Sequence, residues 1–187
     1  MANWRAAVMV AIFAAGAWAG VEGRSKEYKV LVCTTMHHDF VVQRADFIAA
    51  NMFAEIGVQI DWHSNRSCPP DAIRIIYTDC GSRKFPPDAL AYALPYETTH
   101  IEVFNDRLRA HPARGLPILL AHVLVHEITH VLQGVPRHSL SGIMRARWST
   151  EDYNEMIFRP LRFTAADVDL IRLGIEAREA RLVAARN

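Results

Sequence analysis

Apolar residues recur along this chain at two periods, and the switches between them lay out the elements. Tyr28–Thr35 is a short apolar, β-branched run that predicts a strand. Asp39–Ile56 carries Phe40, Val41, Ala45, Ile48, Ala49, Met52 and Phe53 at helical spacing and stops at Gly57. Val58–Trp62 and Ala72–Thr78 predict two more strands, and Leu90–Leu94 and His100–Phe104 a further pair. Leu116–Leu132 then reads as a helix in which Leu119, Leu120, Val123, Leu124, Val125, Ile128, Val131 and Leu132 leave little polar surface, so it is largely buried. A last helix runs from Phe163 to near Ala180. Thr164 and Asp167 form a helix-start pair close to a capping box, and Val168, Ile171, Leu173 and Ile175 supply its apolar positions. The predicted class is α+β with an α/β-like amino-terminal half.

The buried helix carries His126-Glu127-Ile128-Thr129-His130, an HExxH pair. Residues four apart on a helix lie one above the other, so His126 and His130 offer two imidazoles to one metal with Glu127 beside them. Burying two histidines and a glutamate without partners is costly, and a metal ion supplies the partner. Gly134 lets the chain leave the helix with positive φ and turn back, which brings His138 into range as a third neutral ligand. Three protein ligands leave one position open on zinc, the arrangement of a catalytic site and not of a closed structural one. The plain alternative is a pair of core histidines bonded to backbone; His138 and the sequence after it weigh against that.

Ser139-Leu140-Ser141-Gly142-Ile143-Met144 runs from His138 through a glycine turn to a methionine. Together with the HExxH pair, this resembles the metzincin zinc metallopeptidases, in their matrix-metalloproteinase-like and archaemetzincin-like branches. Their long zinc motif is followed by a "Met-turn" whose methionine floors the metal site. The family writes HExxHxxGxxH, with the third ligand six residues after the second; here 138 − 130 gives eight, and Gly134 stands four residues after His130 instead of three. A helix one residue longer and a turn one residue wider accommodate the difference. The resemblance implies a mixed, mostly parallel twisted sheet, an active-site helix, a Met-turn and a carboxy-terminal helix. It also implies Zn2+ on His126, His130 and His138, with Met144 as a packing residue beneath. Residues Leu90, Ala91, Tyr92 and Ala93 would form an antiparallel edge strand above the cleft that pairs with an extended peptide substrate. Trp148 falls in the stretch that walls the family's main specificity pocket, flanked by Arg145 and Arg147; packing beneath the loop is its other reading.

The implied activity is endopeptidase hydrolysis by a zinc-activated water, with Glu127 as general base and then general acid. Two other readings stay open. Gluzincins pair HExxH with a downstream glutamate, for which Glu151 and Glu155 are the candidates, and an exported zinc- or peptide-binding module without turnover would show the same ligands. Glu127 favours the enzyme, because a site that only binds metal needs no base beside it. His122, one turn before His126, is expected to be a buried structural or supporting residue, and His37, His38, His63, His100 and His111 fall at strand ends and loops.

The amino terminus bears on compartment. Arg5, the apolar run Ala6–Ala17 and Ala17-Trp18-Ala19 read as a secretory signal peptide, residues 1–19, too short in its apolar core to span a bilayer. Residues 20–187 are then expected to form one zinc metallopeptidase domain, secreted or periplasmic, with no membrane span left after cleavage. Without Arg5, 20 basic residues balance 20 acidic ones, so nothing in the charge suggests nucleic acid as a partner. Three cysteines in an exported chain allow one disulfide, with Cys68–Cys80 and Cys33–Cys80 both open.

Overall fold

The computed structural model describes residues 26–36, 38–64, 66, 68–79, 85–94, 99–112 and 115–185; the expected signal peptide at 1–19 lies outside the described residues. Strand β1 is Tyr28–Thr34, and helix α1, Phe40–Ala54, carries the chain over to β2, Val58–Ser64, which lies parallel to β1. A parallel pair needs such a crossover, since its strands begin at the same edge. Asp39 starts α1 by accepting from the backbone N–H groups of Val41 and Val42 at 2.8 and 3.1 Å. Val42, Ala45, Ala49, Met52 and Phe53 form its buried face.

Strand β3, Ile73–Thr78, lies on the other side of β1, followed in space by β5, His100–Phe104, and at the edge by β4, Ala91–Ala93. The order β2-β1-β3-β5-β4 is parallel throughout except for β4, which runs antiparallel to β5. The predicted strands are thus all present, with β4 shorter than Leu90–Leu94 and β2 extended to Ser64. Helix α2, Asn105–Arg109, leads to α3, Leu116–Gln133, which packs against α1, α5 and β4. By length and hydropathy α3 is a candidate membrane span, yet 78% of it is buried inside the fold, which makes it a core helix.

Two helices follow the histidine turn: α4, Thr150–Phe158, and α5, Ala165–Ala184. Both start on reciprocal capping boxes, Ser149 with Asp152 and Thr164 with Asp167. The pair at Thr164 was legible in the sequence; α2 and α4 were not.

The expected disulfide pairings are corrected: Cys33 bonds Cys68, with Cα atoms 5.8 Å apart. The reason is the sheet order. Because β1 lies between β2 and β3, the connection from Ser64 to Ile73 must cross over the end of β1, where Cys33 sits between His63 and Arg74 in register. That crossing carries Cys68 onto Cys33.

Helix α5 docks on α3 at Gly174, where a Cβ would collide with the Leu132 carbonyl oxygen. Gly174→Ala should therefore cost about 1–3 kcal/mol, read as a lowered midpoint in urea unfolding. An unchanged midpoint would mean that α5 does not approach α3 so closely.

Candidate functional site

One face of α3 presents His126 and His130, and the helix then ends at Gly134, whose φ of 67° reverses the chain. The reversal brings His138 back against the two helical histidines. Their ligand atoms lie within 4.8 Å of one another, with His130 Nε2 3.1 Å from His126 Nε2 and 3.2 Å from His138 Nε2. The eight-residue spacing thus converges as a six-residue one would.

The opposite ring nitrogens decide the protonation state. His126 Nδ1–H donates to the Ile143 carbonyl at 2.9 Å and His130 Nδ1–H to the Val135 carbonyl at 3.3 Å. With the protons on Nδ1, the Nε2 lone pairs point at each other across about a hydrogen-bond distance. Burial pushes the His126 ring down to about 3 and the His130 ring down to about 4, the neighbouring imidazoles lowering each further; burial also lowers His138. Neutral rings with facing lone pairs repel unless a cation lies between them, so the donor set fits a metal ion that accepts imidazole.

His138 is held from outside the cluster. Asp167, fully buried at the start of α5, accepts from Ser139 Oγ at 2.6 Å and from Arg137 Nη1 at 3.0 Å, the residues either side of His138. It also accepts from Thr164 Oγ1 at 2.6 Å and the Thr164 N–H at 3.0 Å. Burial alone would raise its pKa, but the bonds from Ser139, Thr164 and Arg137 outweigh it and keep the carboxyl below its ordinary value. Arg137 and Asp167 thus brace the turn that carries His138, and in the sequence the signal for this is the capping-box position of Asp167.

Ser139 N–H also donates to the Met144 carbonyl at 2.7 Å, closing the 139–144 turn beneath the cluster. Met144 and Ile143 are fully buried. The Ile143 carbonyl accepts from His126 and, at 3.2 Å, from Trp148 Nε1, so one oxygen ties ligand, turn and cleft wall. His122 is no part of the cluster: its Nδ1–H donates to the Ile118 carbonyl at 2.7 Å and its Nε2 accepts the Leu161 N–H at 3.1 Å. That is the buried structural role expected of it. Glu155 pairs with Arg159 at 2.8 Å on the surface and Glu151 is exposed, and neither belongs to the ligand cluster.

Glu127 borders a cleft of about 420 Å³ with Leu90, Ala91, Val123, His126, Trp148 and Tyr153 among its lining. Burial pushes its carboxyl up to about 8, opposed by a hydrogen bond from the Ala93 backbone. Leu90 and Leu94 use backbone groups on β5, so by antiparallel alternation Ala91 and Ala93 direct theirs to the open side of β4. Tyr92 lies elsewhere: its ring packs on Phe85 at 4.4 Å and lines a separate hollow with Ile76 and Ile101. Arg145 and Arg147 reach the cleft already paired, with Asp152 at 2.6 Å and Asp88 at 3.3 Å.

The folded values of His126 and His130 lie below the 6.5 of an ordinary histidine, so folding favours the neutral rings. That contribution is whole above 6.5 and is lost as the pH falls toward the folded values. Metal-free wild type should lose stability relative to metal-free His126→Gln as the pH falls from 6.5 toward 4, measured by denaturant unfolding. Parallel curves would show that His126 is not held neutral. Asp167→Asn, which removes the charge paired with Arg137, should weaken Zn2+ binding by about 10- to 100-fold in a chelator competition titration. Unchanged affinity would leave Asp167 a helix cap and nothing more.

No family model matches this sequence, and no curated protein matches it. Among solved structures it is similar to archaemetzincin from Methanopyrus kandleri, with a TM-score of 0.55 at 12% identity, covering 83% of this chain and 99% of that one. At so low an identity the likeness speaks for the fold: the chain has an archaemetzincin-like α+β architecture, with its three-histidine cluster at the end of α3.

Proposed function

We propose that this chain is a zinc-dependent endopeptidase, and that His126, His130 and His138 hold the metal. The observation that carries the reading is the convergence of three neutral imidazoles beside Glu127 in a cleft edged by a free strand. Three histidine ligands with a position left open suit catalytic zinc. Bound there, zinc supplies Lewis-acid polarisation of a peptide carbonyl and lowers the pKa of the attacking water.

The chain's own residues do the rest. An extended peptide pairs with the backbone groups of Ala91 and the carbonyl of Ala93 on the open side of β4, the Ala93 N–H being held by Glu127, and Leu90 borders its path; Tyr92 contributes backbone to the strand while its ring faces away. Pairing fixes the peptide's direction and lays the scissile bond over Glu127. In its ionised form Glu127 accepts the proton of the attacking water, and the burial that raises the proton affinity of its carboxyl lets it hold that proton until the leaving amine takes it. The Ala93 backbone holds that carboxyl in place. Trp148, fastened by Nε1 to the Ile143 carbonyl, walls the space that receives a substrate side chain. Met144 fills the floor and takes no part in the chemistry. The signal-like residues 1–19 support export, so the peptide or protein substrate is met outside the cytoplasm.

Purified protein should carry about one zinc, and His126→Ala or His130→Ala should abolish it. Elemental analysis that finds no metal in carefully prepared wild type removes the premise. Glu127→Gln keeps volume and reach but cannot accept a proton at neutral pH. Its zinc content should stay near wild type while cleavage in a peptide-library digest falls by about 10²–10⁴. Metal loss in that variant would make Glu127 a ligand, and undiminished cleavage would place the activity elsewhere.

A further inference from the structure

The cleft beside Glu127 does not end at a closed wall. Helix α3 lines it with Val123, and one turn earlier Leu119, together with Ile118, lines a second hollow of about 390 Å³. Helix α4 faces the same trough, lining the second hollow with Met156 and Ile157. The first cleft lies between α3, the 86–91 stretch and the 145–148 stretch, the second between α3 and α4, and one residue borders both: Tyr153. Its ring meets Trp148 edge-on at 6.3 Å on the catalytic side and His111 at 6.2 Å on the far side.

The second hollow is strongly apolar in its walls, with Pro112, Ile118, Leu119, Met156 and Ile157 offering no charge. On the catalytic side, the two cleft arginines are already paired with Asp152 and Asp88. Glu127 lies on the first cleft only, and beyond Tyr153 a side chain meets mainly hydrocarbon, with His111 and Asn154 the polar residues of that lining. Burial of apolar surface is the interaction such a trough can offer a ligand.

We propose that Tyr153 is a specificity-determining residue: a partition that limits the depth of the substrate side-chain pocket, beyond which an apolar hollow continues between α3 and α4. The inference rests on the peptidase reading for the identity of the ligand, and on the shared wall for the geometry. With the ring in place, the pocket takes an apolar side chain of leucine or phenylalanine size and refuses a longer one. Shortening Tyr153 joins the two hollows and turns the preference toward long apolar side chains.

The test uses zinc-loaded full chain and a peptide cleaved by wild type, carrying leucine, phenylalanine or biphenylalanine at either residue flanking the cleaved bond. Wild type should cleave the leucine and phenylalanine peptides well and the biphenylalanine peptide poorly. In Tyr153→Ala the ratio of kcat/KM for biphenylalanine over leucine should rise by roughly 10- to 100-fold, the worth of burying one more phenyl ring. Tyr153→Leu, which keeps an apolar side chain on α4, serves if the alanine variant does not fold and should shift the ratio in the same direction. Tyr153→Phe, which keeps the ring, should keep the wild-type ratio. Equal ratios in wild type and both shortened variants overturn the proposal, as does a Tyr153→Phe ratio that moves with them.

Failure of the peptidase reading is separable. If wild type cleaves nothing, a fluorophore-labelled extended peptide carrying biphenylalanine is titrated into metal-free wild type and Tyr153→Ala, with fluorescence anisotropy as the readout. Binding at least tenfold tighter in the variant supports the partition without any catalysis, and equal affinity refutes it.

Discussion

The Nε2 lone pairs of His126 and His130, facing each other at 3.1 Å with His138 Nε2 3.2 Å from the second, form an arrangement that the protein cannot stabilise by itself. Nε2 of His126 and Nε2 of His130 are both acceptors, because the proton of each ring is engaged by a carbonyl on its other side. Acceptor against acceptor is repulsive, and protonating one ring is resisted by burial. A cation relieves the repulsion, and the strength of the relief grows as the surroundings become drier. The rest of the local structure acts to keep the lone pairs aimed. Ile143 and Val135 fix two rings, Gly134 reverses the chain, and the buried Asp167 grips the residues on both sides of His138.

Asp167 shows how a wider turn can end in a converged site. Two added residues between the second and third ligands would ordinarily loosen the third, since each extra flexible residue must be ordered at an entropic cost. Here a single buried carboxylate takes bonds from Arg137, Ser139 and Thr164, and so spans the histidine turn and the start of α5. The geometry of the exposed ligand is thereby tied to the docking of the last helix. A charge buried with this many donors is retained only while all of them are present.

What could be read from sequence was what local periodicity controls. His126, Glu127 and His130 were legible because a four-residue interval on a helix places two rings on one face whatever surrounds them. The β-strands and α1, α3 and α5 followed from apolar spacing, and the Thr164–Asp167 cap from its pattern. The disulfide was not legible: Cys68 meets Cys33 because β1 sits between β2 and β3, a fact of sheet order and not of spacing. Helix α2 is too short to show a period, and α4 buries Met156 alone, leaving no apolar stripe to detect. Its Ser149–Asp152 pair was the available signal. For Tyr92 the strand was read correctly, but the alternation of side chains sends its ring away from the cleft and leaves the strand's contribution to the backbone of its neighbours.

Helix α4, the one without a legible apolar stripe, borders both the cleft and the second hollow. The three clustered histidines and Glu127 lie on or just after α3, and those parts depend on core packing against α1 and α5. Helix α4 has little core to keep, so its residues are free to face the cleft: Tyr153 toward Trp148, Asp152 toward Arg145, Ile157 toward the second hollow. Pairing Arg145 with Asp152 removes an uncompensated charge from beside the apolar wall, and Arg147 is answered by Asp88 across the mouth. That wall of the cleft is then mainly hydrocarbon and aromatic surface, with the carboxyl of Glu127 on its other side. On the proposed reading, chemistry and selectivity reside on different helices, so residues on α4 can change the pocket without disturbing the histidine geometry on α3.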